Sequence, residues 1–419
     1  GSRRATGLKG TRASAVQLSV RDVSRTKDGM GRSRVSFAND VRDLFKLQVP
    51  DSEENDLFRI VRSEDVYAST RALMNQVFSD LPNPDGNFVR EFQTSGFDAR
   101  VWELYLFAIR GDHVWTVDRP YDAPDYLYSR AGERVWVEAV IAGPAQKLRE
   151  PTDREKLREF IDHGLAIRYG TPLGNKLAKR YWDHSHVAGR SLTIAIADFV
   201  ERDFVRWSEL GLRRYLYGSD FVLTSERGEP LAGVSTAVAS HQYGSKTIPS
   251  GFFGLPGAEN ISAVLFNNSG TIAKFHRKAF DSKIDRSYRL VRHGFCVDPR
   301  PESIVPQPFA YVVGLVEEPW SEGLVIFHNP NAVRPISRLF FQGAAQWWFR
   351  NGNFEVSEPE FHPFSSVTTA LATESGEVDD EFENSVDAFA EWLVNRTQMT
   401  ETDIASAYER HRTVRQNAT

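Results

Sequence analysis

At 419 residues the chain is too long for one minimal α/β core, and its 41% hydrophobic and 12% aromatic content can fill two or three parts. One cysteine, Cys296, excludes an intramolecular disulfide framework and any Cys-based zinc site. The net charge of −5 argues against indiscriminate coating of nucleic acid while leaving room for a local basic groove.

Residues 1–35, rich in Arg, Lys, Ser and Gly, read as a basic flexible tail, and the opening Gly1-Ser2-Arg3-Arg4 has no apolar stretch of a secretion signal. No apolar run reaches membrane-span length, so the expected location is cytoplasmic, with no membrane partner. Residues 36–87 form an α/β lead-in closed by the turn signal Leu81-Pro82-Asn83-Pro84-Asp85-Gly86-Asn87.

The next stretch, 88–205, reads as an α/β core. Phe97, Val101, Leu104 and Ala108 recur at helical spacing, which predicts an amphipathic helix over 96–109 with Arg100 and Glu103 on other faces. Tyr126-Leu127-Tyr128 and Val135 to Ile141 are strand-rich, and the polar Ser129 to Arg134 between them predicts a hairpin. Thr152-Asp153-Arg154-Glu155 opens a polar helix to about Gly164, and a second helix is expected from about Pro172 to Trp182. Ser191 to Phe199 is short, apolar and β-branched, as a strand buried on both faces should be.

Residues 206–350 form a β-rich accessory region that can extend the core sheet. Asp220 to Thr224 reads as a strand before the turn Ser225 to Pro230, and Ser262 to Phe275 as two strands joined at Asn267-Asn268-Ser269-Gly270. Tyr311 to Val316 and Gly323 to Ala332 continue the β character. His328 and the Asn267 turn read most simply as a strand end and a tight hairpin. Residues 351–419 are expected to be an acidic linker and a helical C-terminal segment in which Val386, Phe389, Trp392 and Leu393 share a face.

Chemistry concentrates in the core. Glu138 stands inside an apolar, β-branched run, where an unpaired charge would be costly to bury. A divalent cation shared with Asp125 would account for both residues, because hard cations take carboxylate oxygens and keep several waters. With Glu103, these positions give the order helix acid, Pro124-Asp125 at a strand start, and a strand acid thirteen residues later.

In that order the segment 96–199 resembles the PD-(D/E)XK nuclease superfamily, the restriction-endonuclease-like fold, in a divergent form similar to uncharacterised bacterial proteins. The resemblance implies a mixed β-sheet flanked by helices, metal ligation by Asp125, Glu138 and Glu103, Mg²⁺ or Mn²⁺ as cofactor, and hydrolysis of phosphodiesters, with DNA as the expected substrate and genome defence as the setting. The chain departs from the pattern at Val140, which stands where the superfamily carries Lys. Lys176, and after it Lys179, lie three apart near one face of the following helix and are the expected replacements.

Lys274, Arg277 and Lys278, set among Phe275, Phe280 and Tyr288, are read as a nucleic-acid contact, with Arg130 and Arg134 as further positive charge. Three function classes follow: a metal-dependent endonuclease; a nucleic-acid-binding protein that kept the fold but lost catalysis, as Val140 suggests; and a protein-interaction or assembly subunit, including a homo-oligomer.

Overall fold

The computed structural model describes residues 43–82, 85–143, 154–198, 208–224, 232–280, 288–296 and 307–372. Helices α1 (Asp56–Ser63), α2 (Ala68–Asp80), α3 (Phe88–Gln93) and α4 (Phe97–Ala108) precede strands β1 (Thr116–Asp118), β2 (Tyr126–Arg130) and β3 (Glu133–Ile141). Helix α5 (Arg154–Glu159), one π turn and α6 (Leu165–Ala178) run on without a break and lead to β4 (Ser191–Ala197). Then come α7 (Ser208–Tyr217), β5 (Ser219–Thr224), β6 (Ala232–Ala237), β7 (Ser240–Tyr243), β8 (Lys246–Pro249), β9 (Ala263–Asn267) and α8 (Ile272–Ala279). Strands β10 (Tyr288–Cys296), β11 (Gln307–Val312), β12 (Val325–His328), β13 (Ala345–Arg350), β14 (Asn353–Ser357) and β15 (Pro363–Ala372) complete the set.

One mixed sheet carries eight strands in the order β1-β2-β3-β4-β9-β12-β13-β14. Its middle is parallel, β3 with β4 and β4 with β9, and its β1-β2-β3 side is antiparallel. Period-two alternation divides the residues between two cores. Val135, Val137, Ala139, Ala195, Ala197, Ala263 and Leu265 pack with the α1–α4 layer, whereas Trp136, Ile194, Ile196, Val264 and Phe266 pack with α6 and α7. Alanines on the first face leave room for the large rings of α4, and Trp102 donates its indole N–H to the Ala195 carbonyl at 3.0 Å. The result is the expected mixed α/β class, a sheet flanked by helices, with separate small sheets β11-β10-β15, β5-β6 and β7-β8.

Several element expectations need correction. Among the described residues of the lead-in the regular elements are all helical, with no strand. Helix α6 runs straight through Pro172: Leu165, Tyr169, Leu173 and Leu177, spaced four apart, form one buried row whose packing outweighs the lost proline N–H. After Asn267 the chain forms helix α8 rather than a second strand, because Ile272 and Phe275 fall three apart on one buried face. The accessory region does extend the core sheet, as expected, through β9, β12 and β13. Within 351–372 the chain forms strands β14 and β15 instead of a linker. The basic tail, the turn 225–230, the acidic stretch and the C-terminal helices lie outside the described residues. Among the described residues no helix is long and apolar enough to cross a membrane.

Candidate active site

The β2–β3 hairpin sets the site. Its two-residue turn places Ala131 (φ 48°) and Gly132 (φ 84°) in the left-handed region, as the tight primed hairpin turns demand. The register fixed by that turn pairs Tyr126 with Val137, which puts Asp125, just before β2, opposite Glu138 at the open end of the hairpin. A cis Ala123–Pro124 bond leads into Asp125. The Ala139 backbone N–H donates to Asp125 Oδ2 at 2.7 Å, fixing that carboxylate against the strand.

Alternation turns Glu138 toward α6, on the same face as Trp136 and Val140, which pack into the α6-side core. There the Lys176 ammonium forms an ion pair with Glu138 Oε1, and the Tyr181 hydroxyl donates to the same oxygen at 2.5 Å. Glu138 is 4% exposed, and its other oxygen, Oε2, is buried with no hydrogen-bond partner among the described residues. Burial raises Asp125 to about 7, the charges of Glu138 and Glu103 adding to the rise while the Ala139 N–H and Lys176 oppose it. Burial, followed by the Glu138 contact, likewise raises the Tyr181 phenol far above its usual range, so it is a donor at neutral pH.

Glu103 lies on α4 and is held by two arginines. Arg100 Nη1 donates to its Oε1 at 2.9 Å and Arg119 Nη1 to its Oε2 at 3.1 Å, while Arg119 Nη2 lies 3.8 Å from Asp125 Oδ1. Arg100 also reaches Asp85 at 3.1 Å and Glu91 at 2.6 Å. Glu103 is therefore tied into an ion-pair network that borders Asp125. The sheet grips the same helix through Tyr126 and Tyr128, whose hydroxyls donate to the carbonyls of Glu103 (2.8 Å) and Leu106 (2.6 Å).

The remaining expected site residues fall elsewhere. Lys179 is exposed, 5.9 Å from the Tyr181 ring centroid, and makes no contact with Glu138 like that of Lys176. Arg130 and Arg134 sit at the closed end of the hairpin, away from Asp125, with Arg130 donating to the Phe340 carbonyl at 2.8 Å. Lys274 and Arg277 are buried, which corrects the expectation of surface cations. Lys274 reaches Glu318 at 2.7 Å, Arg277 grips the same carboxylate at 2.8 Å through two nitrogens, and Lys278 donates to the Glu318 carbonyl at 2.7 Å. His328 is stacked on Trp348 and bonded to Gln346 at 3.0 Å, and Asn267 donates to Tyr105 at 2.6 Å, so both serve packing. Sequence reasoning missed Tyr181, whose partner Glu138 lies 43 residues back, and Arg119, which bridges Glu103 sixteen residues before it and Asp125 six after it.

Among the described residues no three His, Cys, Asp or Glu side chains are grouped so as to hold one metal ion. The donor set is instead two carboxylates, Asp125 and Glu138. This fits a hard divalent cation that is bound through one or two carboxylates and keeps its waters, and the orphaned Glu138 Oε2 offers a buried oxygen for it. Comparison of the chain with family models, with curated proteins and with solved structures finds no match.

Proposed function

We propose that the protein is a divalent-metal-dependent phosphodiester hydrolase acting on nucleic acid, with DNA as the first substrate to test and a divergent PD-(D/E)XK core as its scaffold. The observation that carries this reading is the Lys176–Glu138 ion pair beside Asp125, whose carboxyl feels the charge of both, although Val140 stands where the superfamily has its lysine. Asp125 and Glu138 would hold Mg²⁺ or Mn²⁺. A bound divalent cation supplies charge stabilisation at the phosphoryl oxygens and lowers the pKa of a coordinated water. The Lys176 ammonium lies on the Glu138 carboxylate, where it can orient an attacking water or stabilise the charge that develops on the phosphate. Tyr181 fixes Glu138 Oε1 and leaves Oε2 for the ion. Glu103, through Arg119, braces the wall beside Asp125.

A second reading, a nucleic-acid-binding protein without catalysis, is favoured by one observation: Lys176 and Tyr181 already satisfy one oxygen of Glu138 without any cation. Cleavage of labelled DNA and RNA with Mg²⁺ or Mn²⁺ separates the two. Lys176→Ala should lower turnover by about 10²–10⁴-fold with little change in affinity. Lys179→Ala should instead weaken binding across sequences and reduce the salt slope by about one. If the parent never cleaves either polymer, the non-catalytic reading replaces the hydrolase; if both variants cleave like the parent, Lys176 has no catalytic part.

A further inference from the structure

Outward from Glu138 a line of rings runs to the surface along the segment joining α6 to β4. Tyr181, on the carboxylate, lies 5.8 Å from the His184 ring; His184 lies 5.5 Å from His186; and His186 stacks on Tyr121 at 3.8 Å with an 11° interplanar angle. Trp136, two residues before Glu138 on the same strand face, closes the group from behind, 5.1 Å from His186 and 5.9 Å from Tyr121. The His186 imidazole also bonds the Ala123 carbonyl at 2.9 Å, so the platform is fixed to the turn that carries Asp125.

Tyr121 differs from the other rings of this line. One of its faces is covered by His186, yet the residue is 50% exposed, a large aromatic held against that imidazole four positions before Asp125. Core packing does not account for an aromatic left in water beside a carboxylate site. The flanking charge has the sign suited to a polyanion: Lys179, Arg180 and Arg190 are exposed on the same segment, and the Arg334 guanidinium lies beside Gly189. Of the acids nearby, Asp183 is paired with Arg180 at 2.7 Å and Asp122 is exposed.

We infer that Tyr121, backed by His186, is a stacking platform for an unpaired base of nucleic acid, and that the substrate reaches Asp125 and Glu138 as a single strand or an opened end rather than as intact duplex. This rests on the hydrolase reading for its location, but its test does not require cleavage. Every base offers a π face, so stacking accepts any sequence, while the cations along the segment that carries His186 can follow the phosphates.

The test is binding of labelled oligo-dT, oligo-U and a blunt duplex in chelator, by fluorescence anisotropy, to the parent, Tyr121→Ala and Tyr121→Phe. Tyr121→Ala should weaken single-strand binding by about 5- to 100-fold, the range given by removal of one stacked ring. Tyr121→Phe should bind like the parent, and the duplex Kd should stay within about twofold for all three. A 2-aminopurine in the oligonucleotide should be quenched by the parent and Tyr121→Phe but not by Tyr121→Ala. The ratio of oligo-dT to oligo-U affinity names the polymer. Equal single-strand Kd values for parent and Tyr121→Ala, an equal loss on the duplex, or no oligonucleotide binding by the parent each overturn the platform. A parent that binds through Tyr121 yet never cleaves overturns the hydrolase reading alone. A parent that cleaves single strands while Tyr121→Ala binds and cleaves equally overturns the platform alone.

Discussion

Replacing Asp125 by Asn tests the electrostatics of the site directly. The amide keeps an oxygen that can accept the Ala139 N–H, now made to Asp125 Oδ2 at 2.7 Å, but it removes a charge that sits in a buried place beside Glu138 and Glu103. The parent carboxyl ionises at about 7 in the folded chain, against about 3.9 when unfolded. Unfolded chains therefore bind fewer protons than folded ones between those values, and stability falls as pH rises through that window. At about 1.4 kcal/mol per pH unit, ionising Asp125 costs the metal-free fold up to about 4 kcal/mol by pH 8, roughly half of it between about pH 5.5 and 8. Asp125→Asn has no such slope. Chemical denaturation in chelator should thus find the variant more stable than the parent at pH 8, with the gap narrowing steadily toward pH 4. Adding Mg²⁺ at about 100 times its Kd should then stabilise the parent by about 2.7 kcal/mol and the variant much less. A pH-independent difference would refute the account of a buried, repelled carboxylate, and equal stabilisation of both proteins by Mg²⁺ would remove Asp125 from the ligand set.

Two further predictions concern the frame around the site. Burial alone would raise Glu318, but Lys274, Arg277 and Arg292 outweigh it and hold it well below the usual carboxylate range. Glu318→Gln leaves these cations short of a counter-charge and should destabilise the fold by about 3–5 kcal/mol, read as a drop in denaturation midpoint at unchanged slope. Ala131 adopts a left-handed φ of 48°. Ala131→Asn should therefore raise stability by about 1 kcal/mol, and a fall in Tm would show that the turn does not need that conformation.

Much of the core was legible because its signals are local. The α4 periodicity, the hairpin and the apolar β4 run each lie within a short stretch of chain, and the observed elements Phe97–Ala108, Tyr126–Arg130, Glu133–Ile141 and Ser191–Ala197 fall where they were expected. Lys176 and Lys179 were expected near one face of the helix, and α6 turns Lys176, the first choice, toward Glu138. Pro172 misled because proline marks a helix start when read alone; the four-residue row from Leu165 to Leu177 was the stronger signal. Lys274 and Arg277 misled for another reason. A basic cluster reads as surface until its counter-charge is found, and Glu318 stands more than forty residues away on an unrelated loop. Tyr181 shares that difficulty, since nothing near it names Glu138 as its partner.

The continuity of the main sheet bears on how this chain can be handled. Strand β4 is hydrogen-bonded on both sides, to β3 and to β9, and β9 in turn to β12. Cutting the chain after residue 198, where the motif-bearing stretch ends, would strip β4 of one neighbour and uncover the edge of Leu192 to Ala197, six consecutive buried residues without a charge or proline among them. Natural sheets guard their edges with charges, prolines, bulges or covering loops. A bare strand of this kind invites pairing between molecules, so a fragment bearing Asp125, Glu138 and Lys176 alone is expected to aggregate. Asp125, Glu138 and Lys176 thus depend for their solubility on strands that contribute no side chain to them.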